Sequence, residues 1–314
     1  MANLDRAAQD DAKAPRTLPP PLVDTAFARL EKHRFEVRLP PRLPVGDGMP
    51  VVASLPETRL EPIRVPMPQQ VSGRIVQLRD LARDVVEATI APDEPMRVRP
   101  GQYCRFSFAG LPFRQFSPTS AFGAVREDGY LRLHIKRVRG GHVTPRLGKT
   151  IKAGHHVEII GPYGRAFESP AAHVRLVLIG GGTGFAPIWS IAAVSLRETP
   201  SRPIVLVGAA TTLAGFYMAP ALEFARSYPN VSIVACVDEI VAPWHGFVPG
   251  PLTEHLPELS RDDIVYAAGR HALVGAVGKA AAMAGATFHA DPLEPAPQSQ
   301  ESWIESARRW LSPE

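Results

Sequence analysis

Cysteine is scarce, and its scarcity excludes a good deal. The chain has two, Cys104 and Cys236, in 314 residues. An iron–sulfur cluster takes about four thiolate ligands, and a disulfide framework takes several closely spaced pairs in an oxidising compartment, so neither is expected. Long apolar runs are also missing. No stretch reaches the roughly 18 residues of a spanning helix, and "MANLDRAAQDDAKAPRTLPPP" lacks the apolar core of a signal peptide. A cytoplasmic protein with no membrane contact is the expectation. The formal net charge of +4 is spread out, with no Lys/Arg block and no interleaving of basic and aromatic residues, so no nucleic-acid surface is indicated. No G-x-S-x-G occurs, which removes the hydrolase nucleophile elbow. "GHH" at 154–156 lacks the paired-ligand spacing of zinc sites and reads as a turn at a strand start. No metal site is expected.

Proline, by contrast, is plentiful at 33 residues, and it crowds the first 68 positions in "APRTLPPPL", "LPPRLPVGDGMP" and "LEPIRVPMP". That density forbids long helices and confines strands to edges. Only residues 23–37 have a helix-then-strand look. Residues 1–68 are expected to form an extended arm or a reduced small domain.

From Val71 the pattern turns to period two. "SGRIVQLRDL", "DVVEATIA", "GQYCRFSF", "FRQFSPT", "YLRLHIKRV" and "HHVEIIG" are short alternating runs parted by Pro, Gly and Asp. Such runs predict a small antiparallel barrel over 69–170. After Arg175 continuous apolar runs, "VRLVLIG", "RPIVLVG", "VSIVACV", "DIVYAAG" and "ATFHAD", alternate with helical stretches. That alternation predicts a doubly wound parallel sheet, covered on both faces, over 171–293. The fold class is therefore mixed: an antiparallel β-barrel, then an α/β domain. In the tail, 294–314, Trp303, Ile304, Ala307, Trp310 and Leu311 recur at helical spacing and predict a packing helix.

Three stretches have the composition of ligand sites. "LVLIGGGTGFAP" (176–187) is a strand running into glycines 180–182 and 184 with Thr183 between. Small residues at the carboxyl end of a parallel strand let backbone N–H groups approach an anion, although a simple tight turn has the same look. It is not G-x-G-x-x-G, because Phe185 stands where a third glycine belongs. In "FRQFSPTS", Arg114 and Phe116 project to one strand face and Ser117 to the other, with Thr119 beyond. Arg is the preferred phosphate partner, but an exposed strand with an incidental Arg would read alike. In "HIKRVRGGHVTPRLG" a strand bearing His134 and Lys136 ends in Gly140-Gly141, and Thr144 precedes Pro145 as an N-cap would. Then "GPYGRAF" (161–167) closes the barrel.

In this order the motifs resemble the ferredoxin–NADP reductase-type flavoprotein family, particularly reductase components that feed oxygenases. The matching segments are Arg114-Gln115-Phe116-Ser117 for R-x-(Y/F)-S, Gly140 to Thr144 for G-G-x-x-(S/T), Gly161 to Phe167 for G-P-x-G-x-F and Gly181 to Pro187 for the nucleotide turn. The resemblance covers about Val71 to Leu293. It implies FAD as cofactor, with FMN the alternative, and NADH or NADPH as donor. Arg114 and Ser117 would engage the flavin phosphates and ring edge, with Phe116 against the flavin and Thr119 nearby. The backbone from Gly140 and Gly141 to Thr144 would seat the pyrophosphate, and the strand of His134 and Lys136 would line the adenine side. Gly182, Thr183 and Gly184 would receive the pyridine nucleotide, and Ser117 is the candidate catalytic residue, by a hydrogen bond to the flavin's reactive nitrogen.

Departures from the family are equally specific. Where the family carries C-G-P-P, this chain has Ala268-Gly269-Arg270-His271. A small residue still leaves room for nicotinamide. Gly269 and Arg270 are assigned to the nucleotide; Arg270 and His271 either contact its phosphates or cap the next helix. After the second parallel strand, "VGAATTLAGFY" has no Arg for a 2′-phosphate, only Thr211 and Thr212, so NADH is favoured. The proline-rich arm has no cysteine, so electrons must go to an external acceptor, a ferredoxin or an oxygenase component. Two alternatives remain: an NAD(P)H:flavin reductase that releases reduced flavin, and a non-catalytic flavin- or nucleotide-binding subunit. Oligomeric state is not legible.

Overall fold

The computed structural model describes residues 68–122, 129–165, 167–243 and 245–290. The proline-rich arm, apart from residue 68, and the helical tail expected over 294–314 lie outside the described residues.

Six strands make the first unit: β1 (Gln69–Ala82), β2 (Val85–Pro92), β3 (Tyr103–Phe108), β4 (Arg114–Phe116), β5 (Leu131–Lys136) and β6 (His156–Tyr163). They pair antiparallel in the order β4-β3-β6-β1-β2-β5. Just past β4 the chain meets β5 at an isolated bridge, where the Thr119 N–H donates to the Arg132 carbonyl at 2.8 Å, which nearly closes the barrel. Period-two alternation sends Ile75, Val86, Ala88, Ile90, Phe106 and Leu133 into one buried core. β2 departs from simple alternation, because its first six residues are all buried. Its outer face is covered as well, and Val85 belongs to the core of the second unit.

The second unit is a parallel sheet. Its strands are β7 (Leu176–Gly181), β8 (Ile204–Ala210), β9 (Val231–Val237), β10 (Val248–Pro249), β11 (Ile264–Ala268) and β12 (Thr287–Ala290), in the order β10-β9-β8-β7-β11-β12. β7 shows why its sequence reads as one apolar run. Leu176 and Leu178 face the core under helices α1 (Phe185–Glu198) and α2 (Ala219–Arg226). Val177 and Ile179 face the other core, under α3 (His271–Ala284). Each such side chain, buried on either face, stabilises by about 1.5–3 kcal/mol. The chain builds outward from β7 through β8, β9 and β10, then returns to β11 on the opposite side of β7. The β7/β11 junction is the topological switch point, where open α/β sheets hold their ligands. The short strand β10 was not legible in the sequence.

Candidate flavin and nucleotide site

At the switch point the backbones of two strands nearly touch. Ala268, the last residue of β11, pairs with Gly180 of β7. A Cβ on Gly184 would come within 2.5 Å of the Ala268 carbonyl and the Gly269 nitrogen, so only glycine allows this approach. Gly182 has φ +56°, a left-handed conformation that glycine adopts without penalty. Gly182 to Gly184 form one 3-10 turn, and α1 follows directly. The positive end of a 14-residue helix is therefore turned toward the crevice, an arrangement that favours an anion, although the Phe185 N–H is taken by the Gly182 and Thr183 carbonyls and Pro187 has none. Ala268 is buried beside it.

A cation arches over this mouth. Arg270 follows β11 through Gly269, and its guanidinium donates to the Thr211 hydroxyl, just beyond β8. β8 and β11 flank β7, so the side chain crosses the end of β7 in front of the glycine turn. Arg270 occupies the N-cap position of α3 but makes no side-chain cap bond; of the two roles weighed for it, helix capping is not the one its contacts describe. An acid stands further out: Glu239 accepts from the Leu213 N–H at 2.5 Å. Glu239, Thr212 and Gly215 face Arg137, Arg139 and Gly140 of the barrel across an open cavity of about 730 Å³.

On the barrel side, Gly140 has φ +79° and nothing near the place of a side chain, so its backbone is bare to the cavity. Thr144 differs from expectation. It opens only a three-residue 3-10 turn and caps nothing there. Its hydroxyl instead accepts from the Val138 N–H at 3.0 Å, which fixes the Gly140-Gly141 loop from below. Arg114 donates to the carbonyl of Phe113 at 2.8 Å. Phe116 turns toward the barrel core, with ring centroids 6.1 Å from Phe106 and 6.2 Å from Phe108. Lys136 is exposed and pairs with Asp84 at 3.3 Å.

Thr119 and His134 lie under the second unit. Thr119 donates its hydroxyl to the Ala186 carbonyl in the first turn of α1, at 2.8 Å. His134, expected to line the adenine side, has no exposed side-chain surface. Phe122 and Tyr217 meet its ring edge-on at 5.0 and 5.1 Å, and the Tyr217 hydroxyl donates to the Gly182 carbonyl at 3.4 Å. Glu87 is its neighbour across the strands, 3.4 Å from Nε2. Burial holds the His134 imidazole below its ordinary value and therefore neutral. Burial raises the Glu87 carboxyl, but His134 and then Arg79 outweigh it, and the group ends below the usual carboxylate value. Among the described residues, both nitrogens of His134 and Oε2 of Glu87 lack an aligned hydrogen-bond partner.

These features suit a flavin and a pyridine nucleotide: a bare glycine loop, a basic cavity, orphaned buried polar atoms between the units and a glycine turn at a switch point. Comparison with known proteins agrees. Residues 74–167 match the oxidoreductase FAD-binding domain and residues 178–279 the oxidoreductase NAD-binding domain, together more than half of the chain. The chain belongs to the ferredoxin–NADP reductase-type flavoprotein family. Among its relatives is an NAD(P)H-flavin reductase of Vibrio harveyi, 29% identical over 211 residues, covering 65% of this chain and 88% of that one. Another is the reductase subunit of an aromatic O-demethylase from Amycolatopsis, 30% identical over 196 residues and covering 60% of this chain. This chain spans only 58% of that subunit's length. In three dimensions it resembles a crystal structure of an Amycolatopsis cytochrome P450 reductase, with TM-score 0.64 and 26% identity over 73% of this chain and 71% of that one.

Within this family frame, the residues that sequence reading passed over are Glu87, Phe122, Tyr217 and Glu239. Glu87 had a signal: it is the one charged residue in "VVEATIA", a run otherwise buried like a core strand. Phe122 and Tyr217 had none, since their partner is a strand from elsewhere in the chain.

Proposed function

We propose that the protein is a flavin-dependent NAD(P)H oxidoreductase that takes a hydride from NADH and passes single electrons to a ferredoxin or an oxygenase component. On this reading residues 69–170 hold the flavin and 171–293 hold the nucleotide. The supporting observation is one juxtaposition: the barrel face bearing Thr119 and His134 lies against the glycine turn and α1, tied there by the Thr119–Ala186 bond and by Tyr217, whose ring meets His134 and whose hydroxyl donates to Gly182.

When bound, FAD would supply the redox chemistry, the conversion of a two-electron donor's hydride into single electrons. The chain positions and shields. Arg114 takes flavin phosphate, the Gly140-Gly141 loop seats the pyrophosphate, and Ser117 presents its hydroxyl at the ring. Thr183 and the Gly182–Gly184 turn receive the nucleotide. Arg270 releases Thr211 to hold the nucleotide diphosphate, since a guanidinium is well matched to phosphate oxygens. Glu239 sits where an adenosine ribose would extend past β8; a carboxylate accepts from a ribose hydroxyl and repels a 2′-phosphate, which favours NADH. The small Ala268 leaves the nicotinamide room and contributes no acid or base.

The test is turnover with ferricyanide, a one-electron acceptor, after ultrafiltration. The proposal expects flavin to stay with the protein and kcat/KM for NADH to exceed that for NADPH at least about ten-fold, the worth of one charge repulsion near 1.4 kcal/mol. Loss of flavin through the filter, with turnover restored only by added flavin, supports the second reading, a flavin reductase. The likeness to the Vibrio enzyme over 88% of its length is what favours that reading.

A further inference from the structure

At the boundary between the units, two buried polar groups among the described residues, Glu87 and His134, have unmet hydrogen-bonding capacity. Glu87 and His134 are opposed residues on β2 and β5, and both point outward from the barrel, since Val86, Leu133 and Ile135 beside them fill its interior. Their side chains are 5% and 0% exposed. Nε2 and Oε2 at least face each other at 3.4 Å, which leaves Nδ1 as the atom with no polar partner among the described residues, and a buried donor or acceptor without a partner costs on the order of 1–3 kcal/mol.

The bridge that closes the barrel pairs Thr119 with Arg132 in antiparallel register. Ser117 lies two residues before Thr119 and His134 two residues after Arg132, so this bridge brings the two side chains to the same part of the seam, where Thr119 already meets the nucleotide unit. The surroundings fix the tautomer. Glu87 Oε2 lies beside Nε2 at 3.4 Å, and a carboxylate can only accept, so the imidazole proton belongs on Nε2. Nδ1 is then a lone-pair acceptor. The other charges near the pair are Arg79, which donates to Glu87 at 3.0 Å, and Arg132 on the His134 strand. Tyr217, on the opposite unit, stays a neutral phenol because burial raises its pKa.

We propose that His134, held by Glu87, is a positioning residue that discriminates between the two redox states of the bound flavin by accepting a hydrogen bond at Nδ1 from the reduced ring. The inference rests on the function proposed above. The hydride-receiving nitrogen of the ring has a lone pair when oxidised and an N–H when reduced. The Ser117 hydroxyl can donate to the first form, and Nδ1 can accept only from the second. Phe122, half-buried and edge-on to His134, is the wall a planar ring displaces to reach it.

The experiment measures FAD affinity in the oxidised state and after dithionite reduction, by absorbance and by fluorescence, for wild type, His134→Leu and Glu87→Gln. His134→Leu is expected to weaken binding of the reduced ring about three- to ten-fold more than binding of the oxidised ring, the worth of one net hydrogen bond. Glu87→Gln, which frees the tautomer, should move the same ratio by less and in the same direction. It carries the test alone if the leucine variant does not fold. A residue that merely fills the interface would weaken both forms equally, so an unchanged ratio in a folded variant overturns the inference and leaves the proposed function standing. A wild-type protein that binds no flavin in either state overturns both.

Discussion

At the residue scale, two arginines separate function from stability. The Arg270 guanidinium bonds the Thr211 hydroxyl at an exposed rim, so Arg270→Ala should leave folding and the flavin spectrum unchanged. Losing one charge-assisted bond to phosphate costs about 1.5–3 kcal/mol, so KM for NADH should rise roughly ten- to a hundred-fold with kcat little altered, read by steady-state kinetics. Arg175 plays the opposite part. It grips Asp263 at 2.8 and 2.5 Å and joins the starts of β7 and β11. Arg175→Ala strands a buried carboxylate and should destabilise by about 3 kcal/mol or more in denaturant unfolding at neutral pH. The pH dependence follows the same pair. Burial pushes the Asp263 carboxyl up, but Arg175 and the Ser260 N–H outweigh it, and its folded value lies below the ordinary one. A depressed folded value means stability that is present above the unfolded carboxylate pKa near 4 and lost as pH falls through the folded value. Asp263→Asn should therefore be less stable at pH 7 and lose less on acidification below about pH 4, in unfolding curves taken across pH. The sequence showed where these two residues sit, each at the head of an apolar strand. It could not show that they meet, because 88 positions separate them.

At the element scale the sequence was most readable where burial is periodic. β7 and β8 are buried on both faces and read as unbroken apolar runs, and β9 and β11 become so toward their carboxyl ends; β1, β3 and β5 alternate more nearly and read as barrel strands. Two-residue β10 has no period to detect. Thr144 misled because a Thr before Pro looks the same whether its hydroxyl caps the turn ahead or a strand end behind; the structure has the second. The glycine turn was legible as a turn, but not the reason for Gly184, which is the Ala268–Gly269 backbone arriving from a distant strand. That reason gives a prediction. Gly184→Ala must push the start of α1 away from β11, so NADH binding should fall by at least ten-fold while flavin retention, which rests on the barrel, persists. Calorimetry with NAD⁺ on the flavin-loaded protein reads the first and the visible spectrum the second.

At the scale of the whole molecule, the order of barrel then doubly wound sheet was readable from the hydrophobic pattern along the chain, but the seam between them was not. Val85, a barrel residue, packs into the core of the other unit. Thr119 binds the first turn of α1, Tyr217 reaches from His134 to the glycine turn, and Trp189 of α1 donates to the Ala121 carbonyl at 3.4 Å. None of these contacts has a local signature, since each joins residues whose neighbours in sequence are occupied elsewhere. They are nevertheless what brings the two halves of the site together, and hydride transfer tolerates little misplacement: about 1 Å can cost on the order of a hundred-fold in rate. The measurement that bears most directly on the account is an anaerobic titration of the purified, flavin-loaded protein with NADH, followed at the visible flavin bands. The account predicts that the bands bleach with about one NADH per flavin. Bands that stay unchanged with both NADH and NADPH would contradict it, because flavin and nucleotide would then share a chain without sharing a site.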